Sequence, residues 1–204
     1  MRSIPVLNRG FVQLVDAMGS DLRVVNTARL SHAGSTDTLD DKGRKLIHSL
    51  AGWGHWTPFR HCQATFLAKM PLFVARQWGK HQVGCSWSEV SGRYVDFDPE
   101  DMFLPEGLTS EQSSIFRRSA SESVIAYRDL LEEGMPREQA RAILPQGAYT
   151  TVYWTASLLA IANFIRQRTA SGAQAEIRQY AEAVKTLTAE RFPESLSALL
   201  GEKA

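Results

Sequence analysis

Residues 62–81, CQATFLAKMPLFVARQWGKH, change period with no linker between the two halves. The stretch CQATFLAKM (62–70) alternates apolar and polar side chains, the repeat of a strand with one buried face. From Pro71 onward the apolar residues recur at helical spacing, and proline suits a first helical position, where its missing N–H is not needed. The pattern predicts a strand over 62–70 and a helix from Pro71 to about His81. A fold for this chain must therefore hold a sheet and helices together.

The rest of the chain repeats both periods. GFVQLVDAM (10–18) alternates and reads as the first strand. DDKGRKLIHSLAG (40–52) reads as a helix, with Leu46, Ile47 and Leu50 on one side and Gly52 near its end. GRYVDF (92–97) reads as a short strand, and residues 96–109 as a loop of acids, prolines and glycine. Thr109 with Gln112 resembles a capping box that opens a long amphipathic helix to about Glu133. PREQARAIL (136–144) reads as a short helix stopped by Pro145, and GAYTTVYWT (147–155) as β-structure. Residues from about 156 to 191 read as helical, with a break at 169–172. No repeat or linker interrupts this order. The expectation is one α+β domain over residues 1–204, an antiparallel or mixed sheet flanked by helices.

Composition narrows the partners. Lys+Arg 23 against Asp+Glu 22 leaves a net charge of +1, so no global field attracts a nucleic acid polymer or an anionic membrane. ASLLAIANFI (156–165) is half the length of a membrane span, and the first 20 residues lack the apolar run of a secretory leader. Two cysteines make no disulfide framework. The expected compartment is the cytoplasm, or a host cytoplasm for a phage-encoded chain.

One segment concentrates polar chemistry: RQWGKHQVGCSWSEVSGRY (76–94). On a helix reaching His81, Gln77 and His81 share one face and Arg76 and Lys80 another. The small residues after it permit a concave run of backbone N–H groups, a shape that suits phosphate. Ser91 and Arg93 add a hydroxyl and a fork-shaped cation, and Glu89 can pair with Arg93 or orient a ligand. The bland alternative is a solvated loop with charges scattered for solubility.

This segment resembles the signature of the flavin-dependent thymidylate synthases (the ThyX family), in a Lys-His-Gln form found in viral-type members. The resemblance runs on through VVNTARLSHAG (24–34), GHWTPFRH (54–61), ARAILPQGAYTTVYWTASLLAIANFIRQR (140–168) and AQAEIRQYAEAV (173–184), and so covers about residues 10–193. It implies an α+β homotetramer with shared active sites that uses FAD, NADPH and 5,10-methylenetetrahydrofolate to methylate dUMP at C5, without an enzyme cysteine nucleophile. By position it assigns dUMP contacts to Gln77, Glu89, Ser91, Gly92, Arg93, Arg141 and Arg168. It assigns flavin contacts to Ser31, His55, Thr57, Arg60, Lys80, His81, Gln82, Glu89 and Asn163. Arg168, Ser91 and His81 are the catalytic candidates, with Arg168 set against the pyrimidine.

The chain also departs from the usual form. Lys80 and Gln82 replace arginines, Ser88 an asparagine, Gly172 a histidine and Ala175 a tryptophan, and one extra residue separates His81 from Ser91. These departures leave a hydroxymethylated product, or a non-catalytic flavin- or nucleotide-binding homologue, as alternative outcomes. Cys85 reads as a packing residue, since no base stands out beside it. His55, His61 and Cys62 do not match common zinc spacings, so no metal is expected. Arg141 on its own could pair with Glu133 or Glu138, and Asn163 fits a buried polar role as well as a ligand contact.

Overall fold

The computed structural model describes residues 2–98 and 101–201. Its centre is a five-stranded antiparallel sheet in the order β1-β2-β3-β5-β4. The strands are β1 (Ser3–Val6), β2 (Gly10–Met18), β3 (Gln63–Pro71), β4 (Cys85–Glu89) and β5 (Tyr149–Ser157). The α+β expectation holds, and the sheet is antiparallel throughout.

Gly10–Met18 is the second strand, not the first. Residues SIPV precede it as an edge strand, too short to show a period, and an edge tolerates Pro5. GRYVDF is not a strand either. The Tyr94 and Val95 amides turn back to the Ser91 carbonyl, and the strand lies upstream at Cys85–Glu89. Gly84, at φ +75°, makes the turn that leads into it.

The helices are α1 (Asp21–Arg29), α2 (Asp41–Gly52), α3 (Thr57–Arg60), α4 (Leu72–Trp78), α5 (Ser110–Glu132), α6 (Arg137–Ala140), α7 (Leu158–Arg168), α8 (Ala175–Ala189) and α9 (Pro193–Leu200). The capping box is present: the Gln112 amide donates to the Thr109 hydroxyl, and the Thr109 amide to the Gln112 side chain. Helix α4 stops at Trp78 rather than at His81, because Gly79 and Lys80 turn the chain and the His81 amide bonds the Trp78 carbonyl. Pro71 closes β3 and caps α4 instead of opening the helix. Helices α1 and α9 lie outside the predicted elements, although Ser20 caps α1 and Pro193 and Gly201 bracket α9. Among the described residues no helix is long and apolar enough to cross a membrane.

Helices α4, α7 and α8 cover one face of the sheet. Thr150, Val152, Trp154 and Ala156 of β5 point into that core, each at most 5% exposed. Trp78 lies at its centre, stacked on Phe164 at 4.6 Å between centroids and set edge-on to Trp154 at 5.2 Å. On the opposite face Tyr153 is 49% exposed, while Tyr149 at its end is buried. Helix α5 packs on α6 through Val124 and Tyr127, the buried residues among its 23.

Helix α9 is anchored by a single buried carboxylate. Asp21 accepts from the amides of Ser195 at 2.9 Å and Glu194 at 3.1 Å, which caps the free N–H groups of α9. Replacing Asp21 by alanine should cost about 1–3 kcal/mol and lower Tm by roughly 2–12 °C. An unchanged Tm in a thermal melt would refute the anchor.

Candidate active site

Two periodicities build the main cavity. Leu72, Ala75, Arg76 and Gly79 fall at i, i+3, i+4 and i+7 and form one wall. Cys85, Trp87 and Glu89 alternate along β4 and form the other. Lys80, His81 and Gln82 close the end, on the loop that joins them. The space between is about 760 Å³. Trp78 points away from it into the core, so packing of the signature tryptophan sets where this wall stands.

Arg168, at the last turn of α7, ties that loop down. Its Nε donates to His81 Nε2 at 2.9 Å, and a second guanidinium nitrogen donates to the Gln77 carbonyl at 2.9 Å. A guanidinium only donates, so His81 Nε2 is an acceptor and the ring is neutral. Burial, and then the Arg168 charge, hold the His81 pKa below the ordinary histidine value. The unfolded chain therefore binds a proton that the fold rejects. Stability should fall as pH drops below about 6.5 and continue to fall down to the folded-state pKa. An NMR titration of His81 should give a midpoint below 6.5, and a midpoint above it would contradict the bridge. The Gln77 side chain donates to Gln174 at 2.6 Å. Gln174 was not singled out from the sequence, where a glutamine beside Gly172 and Ala175 carries no mark of its own.

Glu89 does not pair with Arg93. Trp87 Nε1 donates to one of its carboxylate oxygens at 3.1 Å and the Thr150 hydroxyl donates to the other at 2.9 Å. Arg93 faces Glu138 at 3.5 Å, a half-exposed pair of small energetic weight. Arg141 donates to the backbone carbonyl of Glu138 at 3.4 Å, rather than pairing with a carboxylate. A Cβ placed on Gly92 would lie 2.7 Å from the Phe97 ring and 3.2 Å from Arg141 Cδ. Glycine is thus what lets Arg141 close on the Ser91 turn, where the Arg93 amide also meets the Ser91 hydroxyl at 3.3 Å. Ser91, Gly92, Arg93 and Arg141 form one cluster of hydroxyl and guanidinium groups, chemistry that fits a phosphate monoester. The expected concave run of amides shrinks to this one turn, because residues 85–89 are spent on the β-ladder.

The remaining predicted residues other than Ser31 line two neighbouring hollows. One, about 460 Å³, is bordered by Arg60, Cys85 and Asn163. The other, about 510 Å³, is bordered by His55, Thr57 and Arg60. Cys85 is common to the first of these and the main cavity, and Arg60 to the pair, so the three hollows adjoin along one side of the chain. Asn163 accepts from Arg166 at 3.3 Å. Ser31 stands apart, with its hydroxyl on the Ala28 carbonyl at 3.0 Å, while Thr27 and Ala28 of its segment border the second hollow. Burial pushes the Cys85 thiol above its ordinary pKa, which keeps it protonated near neutral pH. Cys62 is fully buried, with its thiol on the Ser20 carbonyl and its pKa pushed up to about 11. Gly172 meets nothing: a side chain there would have open space around it.

These features define an α+β protein with a turn of hydroxyl and guanidinium groups just beyond Glu89 of a cation-bearing cavity, and further hollows beside it. The comparisons make the assignment specific. The profile of the thymidylate synthase complementing protein family matches residues 13–194. A flavin-dependent thymidylate synthase of Thermotoga neapolitana is 39% identical over 97% of this chain and 94% of its own length. One from Thermus thermophilus is 39% identical over 94% of this chain and 76% of its own. The crystal structure of the UMP/dUMP methylase PolB from Streptomyces cacaoi, bound with 5-Br dUMP, superposes with a TM-score of 0.86 at 30% identity over 98% of each chain. The chain belongs to the flavin-dependent thymidylate synthase family.

Proposed function

We propose that this protein converts dUMP to dTMP, with FAD as its flavin, NADPH as the reductant and 5,10-methylenetetrahydrofolate as the one-carbon donor. The observation that carries the proposal is the Arg168 bridge to His81 and Gln77 at the cavity wall. It holds a permanent cation rigidly beside a space large enough for a nucleotide. Uracil must gain electron density at C5 to take up a carbon, and a fixed guanidinium near a ring carbonyl stabilises the negative charge that develops.

Ser91, Gly92, Arg93 and Arg141 hold the phosphate in this reading, and Gln77 and Glu89 hold the nucleoside. His81 stays neutral and keeps Arg168 aimed. Ser31, His55, Thr57, Arg60, Lys80, His81, Gln82, Glu89 and Asn163 take the flavin, which supplies hydride transfer when bound. The adjoining hollows and the shared residues Cys85 and Arg60 fit an extended cofactor. The raised thiol pKa of Cys85 supports chemistry without a cysteine nucleophile. The protein works in the cytoplasm as a homotetramer with shared sites in this reading, and the sparse burial along α5 leaves a helix face for contact with another copy. A hydroxymethylated product is the alternative reading, motivated by Lys80, Gln82, Gly172 and Ala175, where the chain departs from the usual family residues.

Binding tests this directly. The purified protein should hold FAD, and dUMP should perturb the flavin absorbance and stimulate anaerobic NADPH oxidation. Absence of a flavin, or a flavin blind to dUMP, would overturn the proposal.

A further inference from the structure

Glu89 ends an edge strand and is exposed, a position where a glutamate normally swings freely. Here both of its oxygens are held. Register explains how. Glu89 lies opposite Val152, so Trp87 before it and Thr150 across the ladder share its face of the sheet. Trp87 takes one oxygen at 3.1 Å and Thr150 the other at 2.9 Å. Thr150 is 5% exposed, on a strand whose neighbours on the same face are all apolar core, so its hydroxyl is fixed by the fold.

Both donors are neutral. Among the described residues no cation forms an ion pair with Glu89. The carboxylate is thus immobilised with its charge uncancelled, on the wall of the main cavity. An ionised carboxylate only accepts, so what it awaits is a ligand N–H or O–H. A pyrimidine nucleoside offers both, a ring N–H and sugar hydroxyls.

We propose that Thr150 and Trp87 are positioning residues for the nucleotide, acting through Glu89 by clamping its two oxygens. This rests on the dUMP reading above. Thr150 does not border the main cavity; Trp87 does, and its role here is the Nε1–H that holds Glu89. Their contribution is that Glu89 meets its donor without first being ordered.

The experiment is a set of dUMP dissociation constants and kcat values on FAD-loaded protein. Thr150→Val keeps the shape and loses the donor, and it should weaken dUMP binding about tenfold, with a smaller change in kcat and with Tm retained. Thr150→Ser should restore binding to within about twofold of the parent. Trp87→Phe tests the other clamp and should act in the same direction, so the proposal stays exposed even if one variant folds poorly. The decisive arm is Glu89→Gln with and without Thr150→Val. If Thr150 acts through Glu89, the second change adds less than about twofold. Full additivity, or parental dUMP affinity in both Thr150→Val and Trp87→Phe, would overturn the proposal. A parent protein that binds FAD and ignores dUMP would instead bring down the functional reading, and this inference with it.

Discussion

Arg168→Ala should lower kcat by about 10²–10³-fold in a protein that still folds. The guanidinium makes two hydrogen bonds that no other side chain in the cavity duplicates, one to the His81 ring and one to the Gln77 carbonyl. Its removal takes away the cation proposed to face the pyrimidine and releases the loop that carries Lys80, His81 and Gln82. The His81 pKa should rise, since the Arg168 charge is one of the two causes that hold it down. Arg168→Lys keeps the charge but has no fork to span both acceptors, and it should recover only a minor part of the rate. Stopped-flow turnover and an NMR titration of His81 check the two halves. Near-normal kcat in Arg168→Ala would remove Arg168 from the chemistry.

Trp78→Ala should have the largest effect on stability. The indole is fully buried, stacked on Phe164, edge-on to Trp154 and within 6.3 Å of the Tyr180 ring centroid. Truncation leaves a cavity where α4, α7 and α8 meet the sheet, at a cost of about 3–5 kcal/mol, or a fall in Tm of roughly 6–20 °C. Because α4 forms a wall of the site, FAD and dUMP binding should weaken together. Trp78→Phe should recover part of both. Measured by calorimetry, a loss under about 1 kcal/mol would mean that the signature tryptophan does not hold this wall.

The same residue marks where sequence reasoning reached and where it stopped. Trp78 sits inside a polar signature, yet its role is packing. Its neighbours Arg76, Lys80, His81 and Gln82 line the cavity because α4 turns them outward and then ends. Strands β2 and β3 were readable from alternation, because each has one face in the core, and β5 from its β-branched and aromatic residues. Strand β4 alternates too, in CSWSE, but its five residues sit among charges and small residues that resemble a loop. Missing it hid the face shared by Cys85, Trp87 and Glu89, and with it the roles of Trp87 and Thr150. Arg93 and Arg141 were both assigned to dUMP by resemblance, Arg93 to its phosphate end and Arg141 from another element, and the close approach at Gly92 brings them together. Their shared neighbour Glu138 lies 45 residues beyond Arg93 in the chain, and no local pattern links the two. Ser31 fits its assigned role least within one chain.

The most direct test of the whole account is the mass of the nucleotide product. The purified protein would be incubated anaerobically with FAD, NADPH, 5,10-methylenetetrahydrofolate and dUMP. The account predicts a product heavier than dUMP by one CH2, which is thymidylate. A gain of one CH2O would contradict the methyl outcome and establish a hydroxymethylase on the same site. No product, from a protein that binds FAD and dUMP, would contradict the catalytic claim itself.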